Sequence, residues 1–392
     1  MQRVGVGIVG SGFAATLHID AWRRVAGVEV DVVSVTSSHA AHADTFANRH
    51  HIPRADPDLD TLLADPAIDI VDCCVPNYLH ATVALRCLEA GRHVVVEKPL
   101  TGAFVDPAAV PASAMLEQAL SAADDLVRVA AEQGRLLCYA ENWVYAPSVE
   151  KARRLLAASG GTILRIRGEE SHSGTHSEPN KRWETAGGGA LLGKGSHPLG
   201  AALHLKREEG MARERRPISP RSVVAEVASL TKVPSFAAEP EKFLRTGYHD
   251  VEDWGALLVT FDDGTVAEIT AGDTTLGGVR NTMTVFASNV VVEMNLNPNT
   301  AVRAYAPSPD VLAGEYLSEK LETHGGWSFP SPDEDWMQGY PQEMQDFAEC
   351  VAHGRSPRSD GGLGRDVLAV IYSGYVSARE GRRVDLSPWF AG

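Results

Sequence analysis

The chain has 392 residues, of which 44% are hydrophobic and 22% charged, and its formal net charge is −15. That length can bury a large core and suits two domains. The acidic excess argues against nucleic acid or an anionic membrane surface as a partner. The longest apolar runs, such as "DIVDCCVP" and "RHVVVEKP", are far too short to span a bilayer. The N-terminus enters a strand pattern directly, without a signal-peptide profile. Five cysteines without metal-type spacing suit free thiols in a reducing cytoplasm.

The first predicted strand, Val4 to Val9, runs into Gly10-Ser11-Gly12-Phe13-Ala14-Ala15 and then a helix pattern. A G-x-G-x-x-A segment between strand and helix is a dinucleotide-binding fingerprint. Gly10 permits the tight turn, and Gly12 lets the backbone approach a pyrophosphate. Phe13 and Ala14 open the helix whose N-terminus faces the phosphates, and Ala15 allows close helix–strand packing. The second strand ends in Thr36, Ser37 and Ser38, where an acid for the adenosine ribose normally stands. Small hydroxyls there leave room for a 2′-phosphate, so the expected cofactor is NAD or NADP, with a slight preference for NADP.

Asp69 to Val75 is nearly all apolar, as a strand buried on both faces should be. "VPNYLH" follows it, then a helix from about His80 to Ala90. The next strand, "HVVVEKP", ends in Glu97-Lys98-Pro99. Ligands of such sheets bind at the carboxyl ends of the strands. Pro76, Asn77, His80, Glu97 and Lys98 are therefore expected on the cofactor side, with Pro99 turning Lys98 inwards. The segment from Thr101 to Met115 carries two prolines and reads as an inserted loop beside the cleft, either a lid or a surface excursion. A helix from about Leu116 to Gln133 follows.

"LLCYAENWVYAPSVEKARRLL" then carries the chain from a first domain, 1–141, into a second, 142–392. Runs such as "TILRIRGEES", "SVVAEVASLTK", "WGALLVTFDDGTVAEIT" and "NTMTVFASNVVVEMN" predict an antiparallel sheet, with a hairpin at Asp263-Gly264. The last predicted helix runs from about Gly364 to Glu380. Between the first of these strands and the second lies "GGGALLGKGSHPLGAAL", Gly187 to Leu203, with a single histidine, His197.

The stretches "GIVGSGFAATLHIDAW", "VPNYLH", "AGRHVVVEKPL", "ENWVYAPSVEKA" and "GGGALLGKGSHPLGAAL" resemble the Gfo/Idh/MocA oxidoreductases, as do "GYPQEMQDFAECV" and "YSGYVSAREGRRVDL" near the C-terminus. This family is named for glucose–fructose oxidoreductase, inositol dehydrogenase and a rhizopine-catabolism protein. The resemblance spans most of the chain. It implies an α/β fold: an N-terminal Rossmann domain and a C-terminal α/β domain on a large, mostly antiparallel open sheet. It implies a nicotinamide between the domains, a sugar, cyclitol or related polyol as substrate, and a homodimer or homotetramer formed through the C-terminal sheet. It also implies that Lys98 polarises the reacting oxygen and that His197 relays the proton. The family commonly carries an aspartate four residues before that histidine and another three residues after it. Here those positions are Gly193 and Gly200.

A histidine acting as acid or base works best when a partner orients its ring. The nearest carboxylates lie in "GEESHSGTHSE", namely Glu169, Glu170 and Glu178, and at Glu141-Asn142 by the domain junction. His172, His176, Glu141 and Asn142 are expected to reach the substrate. His172 and His176 with a glutamate could instead hold a metal, or sit on a solvated loop; no metal is assigned. Lys194 either points into the cleft and binds an anionic group or is solvated. Trp183 either stacks on a sugar face or packs in the core. Three functions follow: a dehydrogenase of CH–OH groups; an NAD-dependent glycosidase or lyase that oxidises transiently and eliminates; and a non-catalytic dinucleotide sensor. Retention of Lys98 and His197 argues against the third.

Overall fold

The computed structural model describes residues 2–297, 301–321 and 323–390. A first sheet holds β1 (Arg3–Val9), β2 (Glu29–Thr36), β3 (Arg54–Ala55), β4 (Ile70–Cys73), β5 (His93–Glu97) and β6 (Leu137–Ala140), in the order β3-β2-β1-β4-β5-β6. Every pairing in it is parallel. Helices therefore cover both faces, and β4 is buried at every residue, which is why its sequence, Asp72 apart, is apolar without alternation. The strand order reverses between β1 and β4, and a crevice opens there above the carboxyl ends.

A second sheet is built from β7 (Ile163–Ser171), β8 (Pro220–Ala228), β9 (Trp254–Phe261), β10 (Val266–Gly272), β11 (Arg280–Ala287) and β12 (Val291–Asn295). A short hairpin of β13 (Ala304–Ala306) and β14 (Gly326–Ser328) stands apart, and β15 (Val384–Asp385) closes the larger sheet, whose order is β12-β11-β7-β10-β9-β8-β15. Only β7 and β10 run parallel among its pairs. The Asp-Gly turn falls where expected: Gly264 has φ +86° between antiparallel β9 and β10. The helix Ser196–Glu214 lies on the inner face of β7, so close that a Cβ at Gly168 would stand 2.7 Å from Pro198 Cβ. The outer face is half open and exposes Leu164, Leu258 and Val291.

The last two long helices, Tyr340–His353 and Gly361–Glu380, return to the first sheet. Gln345 bonds the backbone of Ala26 through both amide atoms, and Ser359 Oγ donates to the Tyr139 carbonyl. The segment after Pro99 departs from expectation. Ala103 is fully buried, its N–H donating to Tyr372 Oη and its carbonyl accepting from Trp183 Nε1. The following helix begins at Ala112 rather than Leu116. The start of this segment is thus pinned into the core, neither a free lid nor a surface excursion.

Candidate active site

A cavity of about 690 Å³ lies between the two sheets. From the first it is lined by Phe13, Asn77, Lys98 and Pro99, and from the second by Glu170, His172, His176, Lys194, His197, Asp273 and Asn281 among others. Phe13 brings the Gly10–Ala15 turn to its edge. Gly10 has φ +113°, and a Cβ on it would strike the Cys74 carbonyl. A Cβ on Gly12 would meet nothing within 4 Å. Gly12 caps the helix Phe13–Trp22 without a side-chain hydrogen bond, so the first N–H groups face this open space. A pyrophosphate fits such a site. Ser11 Oγ donates to Ser37 Oγ at 3.1 Å, Thr36 is buried with its carbonyl accepting from Gly10 N, and Ser38 is exposed.

Lys98 Nζ donates to the Gly193 carbonyl at 2.7 Å, which aims the ammonium from β5 at the turn before His197. His197 is buried in the first turn of its helix. Its Nδ1 lies 2.6 Å from Glu141 Oε1, and its Nε2 lies 3.8 Å from Glu170 Oε2. Trp143 stacks on the imidazole, with centroids 5.9 Å apart and planes 14° from parallel. Glu141, at the end of β6, is completely buried. The room for it comes from Gly200, where a Cβ would stand 2.8 Å from Glu141 Cγ. Gly193 by contrast has open space around its missing side chain. The acid absent from one glycine position is supplied by a distant strand through the space left at the other.

The glycine run itself is shaped by side chains. A Cβ at Gly188 would stand 2.5 Å from Tyr375 Oη, and one at Gly189 would strike the carbonyl of Glu252. Glu252 accepts from Gly189 N at 3.1 Å, Leu191 N at 2.9 Å and Tyr375 Oη at 2.9 Å. Burial raises this carboxyl to about 7 against those three donors.

The outer cavity wall is polar. His172 Nδ1 accepts from Gly174 N at 2.9 Å, and burial, with Lys194 next, holds the ring far below the usual histidine value. The ring is neutral, and its proton sits on Nε2. Lys194 Nζ pairs with Asp273 Oδ1 at 2.8 Å. Lys194 therefore stands in the cavity wall with its charge balanced, not as a free cation awaiting an anion. Burial also raises the Glu170 carboxyl, against the pull of His197 and Lys98.

Several expected contacts are placed elsewhere. Trp183 is a core residue, packed on Tyr375 and bonded to Ala103. Asn142 donates to the Gln338 carbonyl and does not line the cavity. Glu141 reaches His197 instead of the cavity. His80 is buried, with its ring nitrogens on the carbonyls of Pro99 and Val75; it braces the turn after β5 and does not line the cavity. Pro76 caps the short turn Asn77–Leu79, and Asn77 does line the cavity while donating to the Ala186 carbonyl. Glu97 is held by His18. Of the other acids, Glu169 faces Arg280 and Glu178 pairs with Lys181. His172 and His176 form no metal-type cluster; among the described residues that spacing occurs at His18, Asp72 and Cys74. Sequence reading passed over Asp273, Asn281, Glu252 and His18. The one signal was Asp72, an acid inside an apolar buried strand, which demands a partner.

Fold and site together define a Rossmann protein with a second, mostly antiparallel sheet and a cleft between the two. The chain belongs to the Gfo/Idh/MocA oxidoreductase family. Residues 4–140 match the oxidoreductase family with NAD-binding Rossmann fold, and residues 149–293 match the GFO/IDH/MocA C-terminal domain. Similar curated proteins include trans-1,2-dihydrobenzene-1,2-diol dehydrogenase of Bos taurus, 29% identical over 47% of this chain and 51% of the relative. Levoglucosan dehydrogenase of Pseudarthrobacter phenanthrenivorans is 27% identical over 53% of this chain and 52% of its own. The chain spans about half the length of these curated relatives. GenD2 from gentamicin A biosynthesis, solved in complex with NAD, superposes with a TM-score of 0.79 at 26% identity, over 98% of this chain and 97% of that one. Levoglucosan dehydrogenase in complex with NADH and levoglucosan shares the fold, with a TM-score of 0.73 at 20% identity, over 98% of this chain and 100% of that one. Among the described residues no helix is long and apolar enough to cross a membrane.

Proposed function

We propose that the chain is an NAD(P)-dependent dehydrogenase acting on a CH–OH group of a sugar, cyclitol or glycoside. The observation that carries this reading is His197, held from behind by Glu141, sharing the cavity wall with Lys98. The dinucleotide, when bound, supplies the hydride acceptor or donor at nicotinamide C4. Glu141 engages Nδ1, fixing the ring and leaving Nε2 for the substrate. In oxidation the hydroxyl proton passes to His197 Nε2 while its carbon loses hydride, and the Lys98 ammonium stabilises charge on the oxygen. Reduction runs the same steps backwards. A non-catalytic sensor has no use for this arrangement.

The strand end at Thr36–Ser38 offers hydroxyls and no carboxylate, which supports acceptance of NADP beside NAD; the two solved neighbours named above carry NAD or NADH. Five buried free cysteines suit a reducing, cytoplasmic setting. The half-open outer face of the second sheet suits a homodimer or homotetramer. The test is a panel of sugars, cyclitols and glycosides with NAD and with NADP, read by absorbance of the reduced nicotinamide. Net reduction with one substrate supports a dehydrogenase; glycoside cleavage without net cofactor turnover indicates the eliminating glycosidase. With an active substrate, His197→Ala should lower kcat by about 10²–10⁴-fold with cofactor affinity unchanged. Full activity in that variant overturns the mechanism.

A further inference from the structure

A second charged cluster lies behind the Lys98 strand end, outside the cavity. His18, on the helix Phe13–Trp22, is completely buried. Its Nδ1 lies 2.9 and 3.0 Å from the two oxygens of Asp72, and its Nε2 lies 2.9 Å from Glu97 Oε1. A neutral imidazole has one N–H, and an ionised carboxylate only accepts. The remaining neighbours of both carboxylates are donors. Trp22 Nε1 donates to Asp72 Oδ2 at 2.8 Å, and Lys98 N donates to Glu97 Oε2 at 2.8 Å. With both acids ionised and accepting, His18 presents two N–H groups.

Three further groups face His18. Cys74 Sγ lies 3.4 Å from Nδ1, and burial pushes its thiol up to about 12. From the helix Tyr340–His353, the Tyr340 ring stands 6.4 Å away and Glu343 faces the same space; burial raises both groups well above their usual values. Burial pulls the imidazole of His18 down, but Asp72 and Cys74 outweigh it and leave the ring well above the ordinary histidine value. Burial pushes Glu97 up, but His18, Lys98 and His197 outweigh it and hold the carboxyl at about 2.

We propose that His18 is a positioning residue: a buried imidazolium that locks Glu97, which in turn holds the Lys98 backbone and keeps the ammonium on the Gly193 carbonyl. The proposal rests on the reading of Lys98 as the group that polarises the reacting oxygen. His18 touches neither substrate nor cofactor in this scheme.

The test is His18→Gln, followed through kcat, KM, cofactor affinity and the pH–rate profile. Loss of the lock should lower kcat by on the order of 10²-fold, the scale of a 1 Å misplacement at a reacting group. KM and cofactor affinity should stay nearly constant. Without the imidazolium, Glu97 rises from about 2 towards the ordinary value of 4.5. Its ionised form is then lost at higher pH, so the acid limb of kcat should move upwards. A lower Tm with kcat and acid limb unchanged would overturn the proposal, because that is the mark of a structural role alone. Should His18→Gln fail to fold, ¹⁵N NMR of histidine-labelled wild-type protein decides, with the His18 signal assigned by its shift in Glu97→Gln. Both ring nitrogens should be protonated near neutral pH; a neutral ring overturns the lock. That measurement needs no turnover, so it separates failure of the lock from failure of the dehydrogenase reading.

Discussion

Two glycine-rich turns face the cleft, and their glycines serve opposite purposes. In the turn Gly10–Ala15 the space at Gly12 belongs to no part of the protein: an added Cβ would meet nothing within 4 Å. In the run Gly187–Gly200 most of the space is filled by the protein's own side chains. Tyr375 crowds Gly188, Glu252 crowds Gly189, and Glu141 crowds Gly200. The first turn leaves its space open, and the second is emptied so that distant side chains can hold it. A glycine motif alone does not distinguish these cases; what a Cβ would meet does.

The comparison breaks most visibly at Gly200. Gly200→Asp restores an acid common in the family, yet here it drives a second carboxylate into Glu141. Overpacking should cost about 1–3 kcal/mol of stability, and the displaced Glu141 should release His197, lowering kcat by on the order of 10²-fold. Thermal unfolding and steady-state kinetics check both; an active variant of wild-type stability would show that Glu141 does not fill that space. Next comes Gly12→Val. Its side chain enters the space left for pyrophosphate, so cofactor affinity should fall by about 10–100-fold, the equivalent of 1–3 kcal/mol, while Tm hardly moves. Unchanged affinity in a titration would take this turn out of the cofactor site. The smallest effect belongs to Gly193→Asp. With open space around Gly193, stability should change by no more than about 0.5 kcal/mol. The pH–rate profile should stay in place because Glu141 already engages His197. A profile displaced to higher pH would mean that the usual acid was missing after all.

Much of the nucleotide side was legible in the sequence. The strand, the turn and the helix are contiguous, and each glycine acts through its own backbone or its own missing side chain. Lys98 and His197 were legible through the resemblance, as was a large, mostly antiparallel second sheet. Glu141 stood among several acids that could have partnered His197, and sequence spacing could not rank them. Trp183 could have faced substrate or core; its indole found the Ala103 carbonyl, and a buried Trp N–H needs such a partner. Lys194 could have been a free cation; Asp273, at the end of β10, balances it.

By itself the sequence determined the strand, glycine turn and helix at the start of the chain, and it singled out Lys98 and His197, which the fold brings to one cavity. These follow from local chemistry: backbone conformation at glycine, the period of apolar residues, and caps within a few positions. Only the tertiary structure decided the partners. Glu141 and His197 are 56 residues apart, Gly189 and Glu252 are 63, and His18 and Glu97 are 79. Such pairs form because parallel strand ends and a crossing helix bring them within hydrogen-bond distance in a buried site, where each ionised group must meet its counterpart. That demand is visible in a sequence only as an acid or a histidine among apolar neighbours; which one answers it is set by the packing.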